Sequence, residues 1–172
     1  MRRSCFMFLM VIFLASFGFV FGGWAMADDT MAKGESCHYC GMMKSKFGHT
    51  WMVIEYDGGS KTEVCSIHCG AIDLALNIDK APVTITVGDY STKNPINAEK
   101  AYWVLGGSKM GVMTTRAKWA FEEKSAADGF IQEFSGTPAT FDEAVKAAFE
   151  DMYQDTQMIR KKRAMMRMKQ GK

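Results

Sequence analysis

The sequence predicts an α+β protein built from two ββαβ-like halves that are followed by a C-terminal helix. Two strand-like runs flank the turn signal Asp57-Gly58-Gly59, which is typical of a β-hairpin. Residues 83–87 are β-branched at every position, which favours a strand. The order strand, strand, helix, strand then recurs more faintly in the second half of the chain. Hairpins interspersed with helices indicate the α+β class.

The first half can be assigned element by element. Residues 49–56 have the composition of a strand, and residues 61–64 return as its partner after the turn. Ser66 is placed to cap a helix, because apolar side chains recur at helical spacing behind it. Residues 82–87 then form the third strand. The expected apolar face of the helix consists of Ile67, Ala71, Leu74, Ala75 and Ile78.

The second half repeats this order. Residues 101–105 are expected to form a strand that ends at two glycines, and residues 117–121 are expected to form another. Residues 125–134 are helical in pattern, and a short extended piece follows. Thr140-Phe-Asp-Glu143 is a capping box, so it predicts the start of a helix that continues through Met152. Residues 110–113 are expected to form a loop.

The N-terminus has the three parts of a secretory signal peptide. A basic pair at residues 2–3 precedes an apolar stretch over residues 6–21, and Ala-Met-Ala at residues 25–27 provides a small-x-small cleavage site. We therefore expect export to the periplasm and a mature chain that starts at Asp28. An uncleaved anchor is the alternative, but the stretch falls short of the roughly 18 apolar residues that favour a membrane span. No cysteine stands at the cleavage point, so lipoprotein anchoring is not indicated.

The mature chain is long enough for one domain with a sizeable core. We expect a flexible lead-in over residues 28–36 and a domain over residues 37–155, divided into halves at about residues 37–92 and 93–155. A basic, methionine-rich tail over residues 156–172 completes the chain.

Charge is distributed unevenly along the mature chain. Residues 28–159 carry 12 basic and 19 acidic side chains, a net charge of −7, whereas residues 160–172 carry seven basic side chains and no acidic ones. The tail can be a solvated helix end, or it can contact an anionic membrane surface or an acidic partner. Nucleic acid is not an expected partner of an exported chain.

All four cysteines of the mature chain lie in two pairs, Cys37-x-x-Cys40 and Cys65-x-x-x-Cys69. The predicted hairpin lies between the pairs and can bring them together in space. Thiolates are preferred ligands of Cu(I) and Zn²⁺, whereas Ca²⁺ and Mg²⁺ bind oxygen. Disulfides are the usual state of paired cysteines in exported proteins, and this alternative stays open as a resting state in air. Such bridges would close only short loops and stabilise little, so a soft-metal site explains the clustering better.

Neighbouring side chains strengthen this interpretation. Cys69 falls in the first turn of the predicted helix, where the helix dipole favours a thiolate. Gly41 permits a tight turn after Cys40, so that the next residues can fold back toward the same centre. His38 and His68 are candidate ligands or outer-shell donors.

The methionines favour Cu(I) over Zn²⁺, because Cu(I) accepts thioether ligands readily and Zn²⁺ does not. Met42 and Met43, and likewise Met110 and Met113, lie next to a glycine in predicted loops, where they are poor core candidates and plausible ligands. We expect Met52, Met152 and Met158 to pack in the core or along a helix. Met165, Met166 and Met168 are expected at an amphipathic helix end, with capture of copper as the alternative.

Six motifs follow one another in an order that is more specific than any one of them. They are Cys37-x-x-Cys40-Gly41-Met42, the hairpin turn with Asp57-Gly58, Val87-x-Asp89-Tyr90, Ala98-x-x-Ala101-Tyr102-Trp103-Val104, Met110-Gly111 and the helix between residues 121 and 134. In this order, over residues 36–150, the chain resembles the NosL family of copper chaperones accessory to nitrous oxide reductase. The resemblance implies two ββαβ subdomains and Cu(I) binding for delivery to a periplasmic copper enzyme, with that enzyme and its maturation machinery as partners. It points to Cys37, Cys40, Met42 and Met110 as functional residues.

Two other functions are compatible with parts of the sequence. With the second cysteine pair, residues 37–69 also resemble a TRASH- or YHS-type module, which would bind Zn²⁺ or serve in general metal handling. A C-x-x-C motif can also belong to a thiol–disulfide oxidoreductase, but it then usually opens a helix after a buried strand. Cys37 instead follows a small, polar lead-in, and the sequence carries no other catalytic motif. We therefore do not expect an enzyme.

Overall fold

The computed structural model describes residues 35–171, so the predicted signal peptide and most of the lead-in lie outside the described residues. Short 3₁₀ turns lie at Gly48–Thr50 and Asp57–Gly59. The elements in chain order are α1 (Lys44–Phe47), β1 (Met52–Tyr56), β2 (Lys61–Val64), α2 (Ile67–Leu76), β3 (Pro82–Gly88), β4 (Pro95–Asn97), β5 (Tyr102–Leu105), β6 (Lys118–Phe121), α3 (Lys124–Phe134), β7 (Thr137–Ala139) and α4 (Phe141–Gln170).

Two antiparallel sheets share one topology. The first sheet has the strand order β2-β1-β3-β4, and the second has the order β6-β5-β7. In each sheet the first strand of the half is central, with its hairpin partner on one side and the strand after the helix on the other. The predicted α+β class with two ββαβ-like halves and a C-terminal helix is therefore confirmed. Strand β4 was not predicted, because Pro-Ile-Asn has little strand propensity of its own and is held only by pairing with β3.

The β1–β2 hairpin follows its sequence signals. Along β1 the side chains of Met52, Ile54 and Tyr56 are buried, and Glu55 is exposed, which is the alternation of a half-buried strand. Gly58 adopts a φ of 75°, which the turn requires and which glycine adopts without steric cost. The hairpin therefore ends β1 and returns β2 toward the second cysteine pair.

The start of β1 and the end of α2 differ from the prediction. The strand expected from residue 49 begins at Met52, since residues 48–50 form a 3₁₀ turn. Helix α2 ends at Leu76, where Asn77 closes it by donating from its backbone and side chain to the Asp73 carbonyl. The prediction that Ile78 belongs to the buried helix face is wrong, because its side chain is 89% exposed beyond the helix end.

Ser66 precedes α2 as predicted, but its hydroxyl does not cap the helix. It donates instead to the Val112 carbonyl oxygen at 3.2 Å. This hydrogen bond connects the start of α2 to the loop that follows β5. The second cysteine pair and the Met110-to-Met113 loop are thereby held next to each other.

Helix α4 begins with the predicted capping box, in which Thr140 and Glu143 satisfy each other's backbone N–H groups. It is 30 residues long and packs against α2 and β5. The predicted tail is therefore the C-terminal half of this helix as far as Gln170. No helix in the described part of the chain is long and apolar enough to cross a bilayer.

Asp89 and Tyr90 join the two halves. The Asp89 carboxylate accepts from the Glu122 backbone N–H at 2.9 Å, and the Tyr90 N–H donates to the Ala120 carbonyl at 2.8 Å. The Tyr90 ring packs on Trp119, with the ring centroids 5.0 Å apart. These contacts fix the first sheet against β6 and give the Val87-x-Asp89-Tyr90 motif a structural role.

Candidate metal site

The four cysteine side chains form one cluster. All four Sγ atoms lie within 4.8 Å of one another, with separations of 3.4 Å for Cys40–Cys65 and 3.7 Å for Cys65–Cys69. The sulfurs are free thiols, and all but that of Cys40 are buried. A metal ion 2.3 Å from four tetrahedral sulfurs would separate them by about 3.8 Å. The cluster is therefore close to the geometry of a tetrathiolate metal site.

A tight backbone loop presents the first cysteine pair. The Gly41 N–H donates to the Cys37 carbonyl at 2.9 Å, and the Cys37 N–H donates to the Met42 carbonyl at 2.8 Å. Gly41 has a φ of 74°, so the turn expected after Cys40 is present. The His38 N–H donates to the Glu63 carbonyl at 3.1 Å, which attaches the loop to β2.

The second cysteine pair spans the end of β2 and the first turn of α2. Cys65 directly follows β2, and Cys69 is the third residue of α2, as predicted. Since the first pair is attached to β2 as well, the hairpin brings both pairs to one place. This is the arrangement that the spacing of the cysteines predicted.

A buried carboxylate anchors the loop to α2. Asp73, one turn after Cys69, accepts from the Tyr39 hydroxyl at 2.5 Å and from the Tyr56 hydroxyl at 2.6 Å. Burial and hydrogen bonding to Asp73 raise the pKa of both tyrosines, which keeps their hydroxyl groups protonated as donors. Tyr39 lies inside the C-x-x-C loop, so this bond attaches the loop of the first cysteine pair to the helix that carries Cys69.

The four thiols differ in acidity. The pKa of Cys37 is lowered because the other three thiols are placed to donate to its sulfur. The pKa of Cys40 is raised by Cys37 but lowered more by Cys65 and Cys69, so the net shift is downward. The pKa values of Cys65 and Cys69 are raised by hydrogen bonding with the sulfurs of Cys37 and Cys40, and by burial.

The predicted effect of the helix dipole on Cys69 is opposed by its neighbours. Hydrogen bonding with the other three sulfurs and burial raise the pKa of Cys69. A cation between the sulfurs would reverse this balance and favour the thiolate form of all four, so metal binding would release protons.

A methionine-lined cavity of about 500 Å³ lies beside the cluster. Its walls come from the segment after the C-x-x-C loop, from the loop after β5 and from the C-terminal half of α4. The side chain of Met110 is 80% exposed, so it does not pack between the two halves. The thioethers in the lining are those of Met42, Met110, Met113, Met158 and Met166.

A smaller cavity of about 220 Å³ borders the cysteines. Cys40 and Cys69 line it on one side, and Met113, Ile159 and Arg163 are common to the linings of both cavities. The Arg163 guanidinium donates to the Cys40 carbonyl at 3.2 Å. The C-terminal half of α4 is therefore in direct contact with the cysteine loop.

Gly111 allows the Met110 loop to pack closely. A Cβ at this position would lie 2.7 Å from the Thr114 Cγ2 atom and 2.8 Å from the Ala117 Cα atom, which is closer than side chains tolerate. The Met110-Gly111 motif therefore combines an exposed thioether with a residue that keeps its loop folded.

Three further candidates belong neither to the cysteine cluster nor to the lining of the methionine cavity. Met43 pairs with Ser36 in an isolated bridge and lines neither cavity. The side chain of His38 is exposed and packs edge-on against Tyr39. His68 is buried on α2 with its Nδ1 atom 3.5 Å from the Asp155 Oδ2 atom. The ligands predicted from sequence therefore form three sets: the cysteines of the cluster, the methionines of the cavity and these three residues.

The imidazole of His68 is held neutral. Burial lowers its pKa more than the nearby Asp155 carboxylate raises it. Neither the Nδ1 atom of His68 nor the Oδ2 atom of Asp155 has a hydrogen-bond partner among the described residues. His68 also lines the smaller cavity, so a neutral imidazole lies next to the cysteines.

Sequence reasoning missed several residues of the site. His49 was assigned to a strand but lines the methionine cavity, and Tyr39, Asp73 and Tyr56 were not singled out. The sequence predicts helix packing for Met158, and for Met166 an amphipathic helix end with copper capture only as the alternative. A signal was present for the last two, since Met158, Ile159, Lys162, Arg163 and Met166 recur at the spacing of one helix face.

Comparison with known proteins agrees with the resemblance noted in the motif order. Among solved structures, the crystal structure of the copper chaperone NosL from Shewanella denitrificans matches with a TM-score of 0.52 and 25% sequence identity. This match covers 63% of the present chain and 87% of the Shewanella chain. No protein with a curated functional description matches the chain. The sequence profile of the NosL family matches residues 28–149, well over half of the sequence, and the chain therefore belongs to the NosL family.

Proposed function

We propose that the chain is an exported metallochaperone that binds Cu(I) and delivers it to a periplasmic copper enzyme of the nitrous oxide reductase type. The observation that carries this proposal is a buried cluster of four thiols beside a cavity lined with thioethers. Both ligand types are soft, and the combination suits Cu(I) better than any other common biological cation.

The prediction that the chain is not an enzyme agrees with its family, because a solved structure that it resembles is that of a copper chaperone. A chaperone needs to bind its cargo selectively and to release it to a recipient. The chemistry to be explained is therefore ligand exchange at a metal ion.

In the proposed site, Cys37, Cys40, Cys65 and Cys69 hold the ion. Burial of three of these sulfurs excludes water, and the Tyr39–Asp73 hydrogen bond keeps the two pairs at binding distance. The thiol of Cys40 is only half-buried, so it is the side of the cluster from which a recipient's ligands can approach.

The proposed release step uses the methionines. A thioether binds Cu(I) without adding negative charge, so it is displaced more easily than a thiolate. Met42 and Met110 line the cavity next to the cluster, and Met110 is largely exposed. In this proposal they take over part of the coordination while the recipient's ligands replace the cysteines. Met113 is a further candidate, because it lines both cavities.

Contact with the recipient is proposed to use the basic half of α4. Arg160, Lys161 and Lys162 are largely exposed near the site, on a body whose mature sequence is otherwise acidic. An acidic surface on the recipient or its maturation machinery would be attracted to this helix, as would an anionic membrane. The proposal also includes two features outside the site. The chain is exported through a signal peptide that is cleaved after residue 27, and the domain divides into halves at about residues 92 and 93.

Zinc is the second candidate cargo, because buried tetrathiolate clusters are typical of structural Zn²⁺ sites. In that case the chain would be a TRASH- or YHS-like metal module. The methionine cavity argues for copper, since it provides ligands for which Zn²⁺ has little use.

Anaerobic titration of the reduced protein against a colorimetric Cu(I) chelator separates these candidates. The proposal predicts retention of at least one Cu(I) per chain in the presence of excess Zn²⁺. Stoichiometric Zn²⁺ binding with no ability to compete for Cu(I) would exclude the copper function. Measurable activity in an insulin-reduction assay would instead support an oxidoreductase.

A further inference from the structure

The C-terminal half of α4 forms one wall of the methionine cavity. Five of the ten methionines within residues 35–171 line this cavity, and two of them come from α4. Met165 and Met168, on the same helix, are exposed and lie outside the lining. The helix thus presents one thioether-bearing face to the cavity and leaves other thioethers in solvent.

The thioethers of this cavity differ in depth. Met110 and Met166 are exposed by 80% and 54%, whereas Met113 and Met158 are half-buried. Met113 also lines the smaller cavity that reaches Cys40 and Cys69. Soft ligands therefore run from the protein surface through half-buried thioethers to the cysteines.

The position of Met158 is fixed by a contact of its own. The Thr115 hydroxyl lies 3.6 Å from the Met158 Sδ atom and is oriented to donate to it. A thioether sulfur has a second lone pair that stays available for a metal ion. Met158 and Met166 are eight residues apart, or about 12 Å along a helix, so they serve successive positions better than one shared ion.

Two cations limit how firmly this cavity can hold a metal. Lys162 and Arg163 line it together with the neutral thioethers, and no acidic side chain contributes to the lining among the described residues. Cu(I) in the cavity would therefore gain soft ligands but meet like charge. These features suit transit of the ion and do not suit its storage.

We propose that the methionine cavity is an entry and exit path for Cu(I), in which Met166 at the rim and Met158 further inside are thioether relay ligands. The inference rests on the proposed copper function, because that function identifies the ion. It adds a role for α4 that the cysteine cluster does not require.

The test compares Met158→Leu/Met166→Leu with Met165→Leu/Met168→Leu. Leucine keeps the apolar volume and helix propensity of methionine but lacks the sulfur. Stopped-flow measurements follow Cu(I) loading from a chelator complex and its removal by excess chelator. We expect the cavity variant to load and unload about tenfold more slowly, the effect of raising a barrier by about 1.4 kcal/mol, with an unchanged equilibrium affinity. The control variant is expected to match the wild type.

The proposal would be overturned if neither variant loaded and unloaded Cu(I) more slowly than the wild type. It would also be overturned if both variants were slowed equally. A large loss of equilibrium affinity in the cavity variant alone would also overturn it, because Met158 and Met166 would then be ligands of the stored ion. Failure of the wild type to retain Cu(I) would contradict the proposed function itself, and the two failures are thus distinguishable.

A measurement on the wild type is independent of how the variants fold. Ag(I), a redox-stable analogue of Cu(I), is added in excess over one equivalent, and methionine oxidation by dilute peroxide is mapped by mass spectrometry. We expect Ag(I) to protect Met158 and Met166 while Met165 and Met168 are oxidised at their unprotected rates. Oxidation of Met158 and Met166 at the same rate with and without Ag(I) would overturn the proposal.

Discussion

The cysteine cluster and the methionine cavity lie side by side but are built differently. The cluster comes entirely from the first half of the chain, around one hairpin and the start of α2, and most of it is buried. The cavity is assembled from three distant segments, and several of its side chains face solvent. Local structure thus holds the thiols, whereas the thioethers lie where separate elements meet.

This difference corresponds to two requirements of a metal carrier. Tight retention requires ligands held at fixed distances, because any freedom before binding is lost on binding. Exchange requires weaker ligands that a partner can reach. The following substitutions separate the two requirements, starting with the largest expected effect.

Cys69→Ser removes one sulfur from the buried cluster. We expect Cu(I) affinity to fall by more than about 100-fold, since loss of an outer-shell partner alone costs about 10- to 100-fold. Chelator competition measures this loss. Met113→Leu is the matched control in the adjacent cavity, and a loss of equal size there would contradict the assignment of storage to the cysteines.

Asp151→Asn weakens the attachment of α4 to β6, because Asp151 on α4 forms an ion pair with Lys118 on β6. Burial raises the pKa of Asp151, but hydrogen bonds from Arg116 and Lys118 outweigh it, so the pKa is lowered. Lys118 is buried, and its ammonium lies 2.8 Å from the Asp151 carboxylate. We expect a loss of about 3 kcal/mol in the free energy of unfolding, measured with urea, because Lys118 loses its charge partner.

The sign of the pH dependence follows from the lowered pKa of Asp151. The stabilisation is fully present above the ordinary carboxyl range and is lost as the pH falls through the folded-state pKa. The wild type should therefore lose more stability below about pH 4 than the variant does. Asp128→Asn, in an exposed pair with Lys124, is expected to leave both stability and its pH dependence unchanged. Identical acid unfolding of wild type and Asp151→Asn would contradict this account.

Tyr39→Phe and Tyr56→Phe form a matched pair around Asp73. Each removes one hydroxyl that donates to the same carboxylate, but only Tyr39 lies in the cysteine loop. We expect both to cost about 1 kcal/mol of stability. Only Tyr39→Phe should lower Cu(I) affinity, by about tenfold, because it frees the loop from α2. Equal affinities in the two variants would show that the hydrogen bond does not position the cysteines.

Met110→Ala is expected to have the smallest effect. Its side chain is 80% exposed, so the free energy of unfolding should change by less than about 0.5 kcal/mol. We expect several-fold weaker Cu(I) retention and an altered copper–sulfur absorption, with the circular dichroism spectrum unchanged. Met165→Ala, exposed on α4 outside the cavity, serves as the control. Unchanged affinity and spectrum in Met110→Ala would remove this residue from the site.

The cysteine cluster was predictable because its signals are local. A glycine-rich turn, two strand-like runs and a helix start fix the geometry between Cys40 and Cys65, so sequence spacing becomes spatial proximity. The repeated ββαβ order was predictable for the same reason. In contrast, Ile78 has the helical spacing of a buried residue, but the chain closes α2 at Asn77 before that spacing takes effect.

The methionine cavity could be predicted only in part. Met42 and Met110 were identified because they stand in loops next to glycines, where packing is a poor explanation. The helix face that carries Met158 is visible in the sequence, but what this face contacts depends on how α4 lies across the molecule. The same holds for the cavity that His49 lines. The direction of a long helix is decided by tertiary packing, which neither periodicity nor capping specifies.

The central claim is that the cysteines hold the ion firmly, with Met110 as a weaker ligand, while Met158 and Met166 only handle its exchange. X-ray absorption at the copper edge, on protein loaded anaerobically with one equivalent of Cu(I), tests it most directly. The account predicts a first shell of sulfur alone, with the same spectrum in the wild type and in Met158→Leu/Met166→Leu. Nitrogen ligands in the first shell, or a spectrum that changes when only these two methionines are replaced, would contradict it.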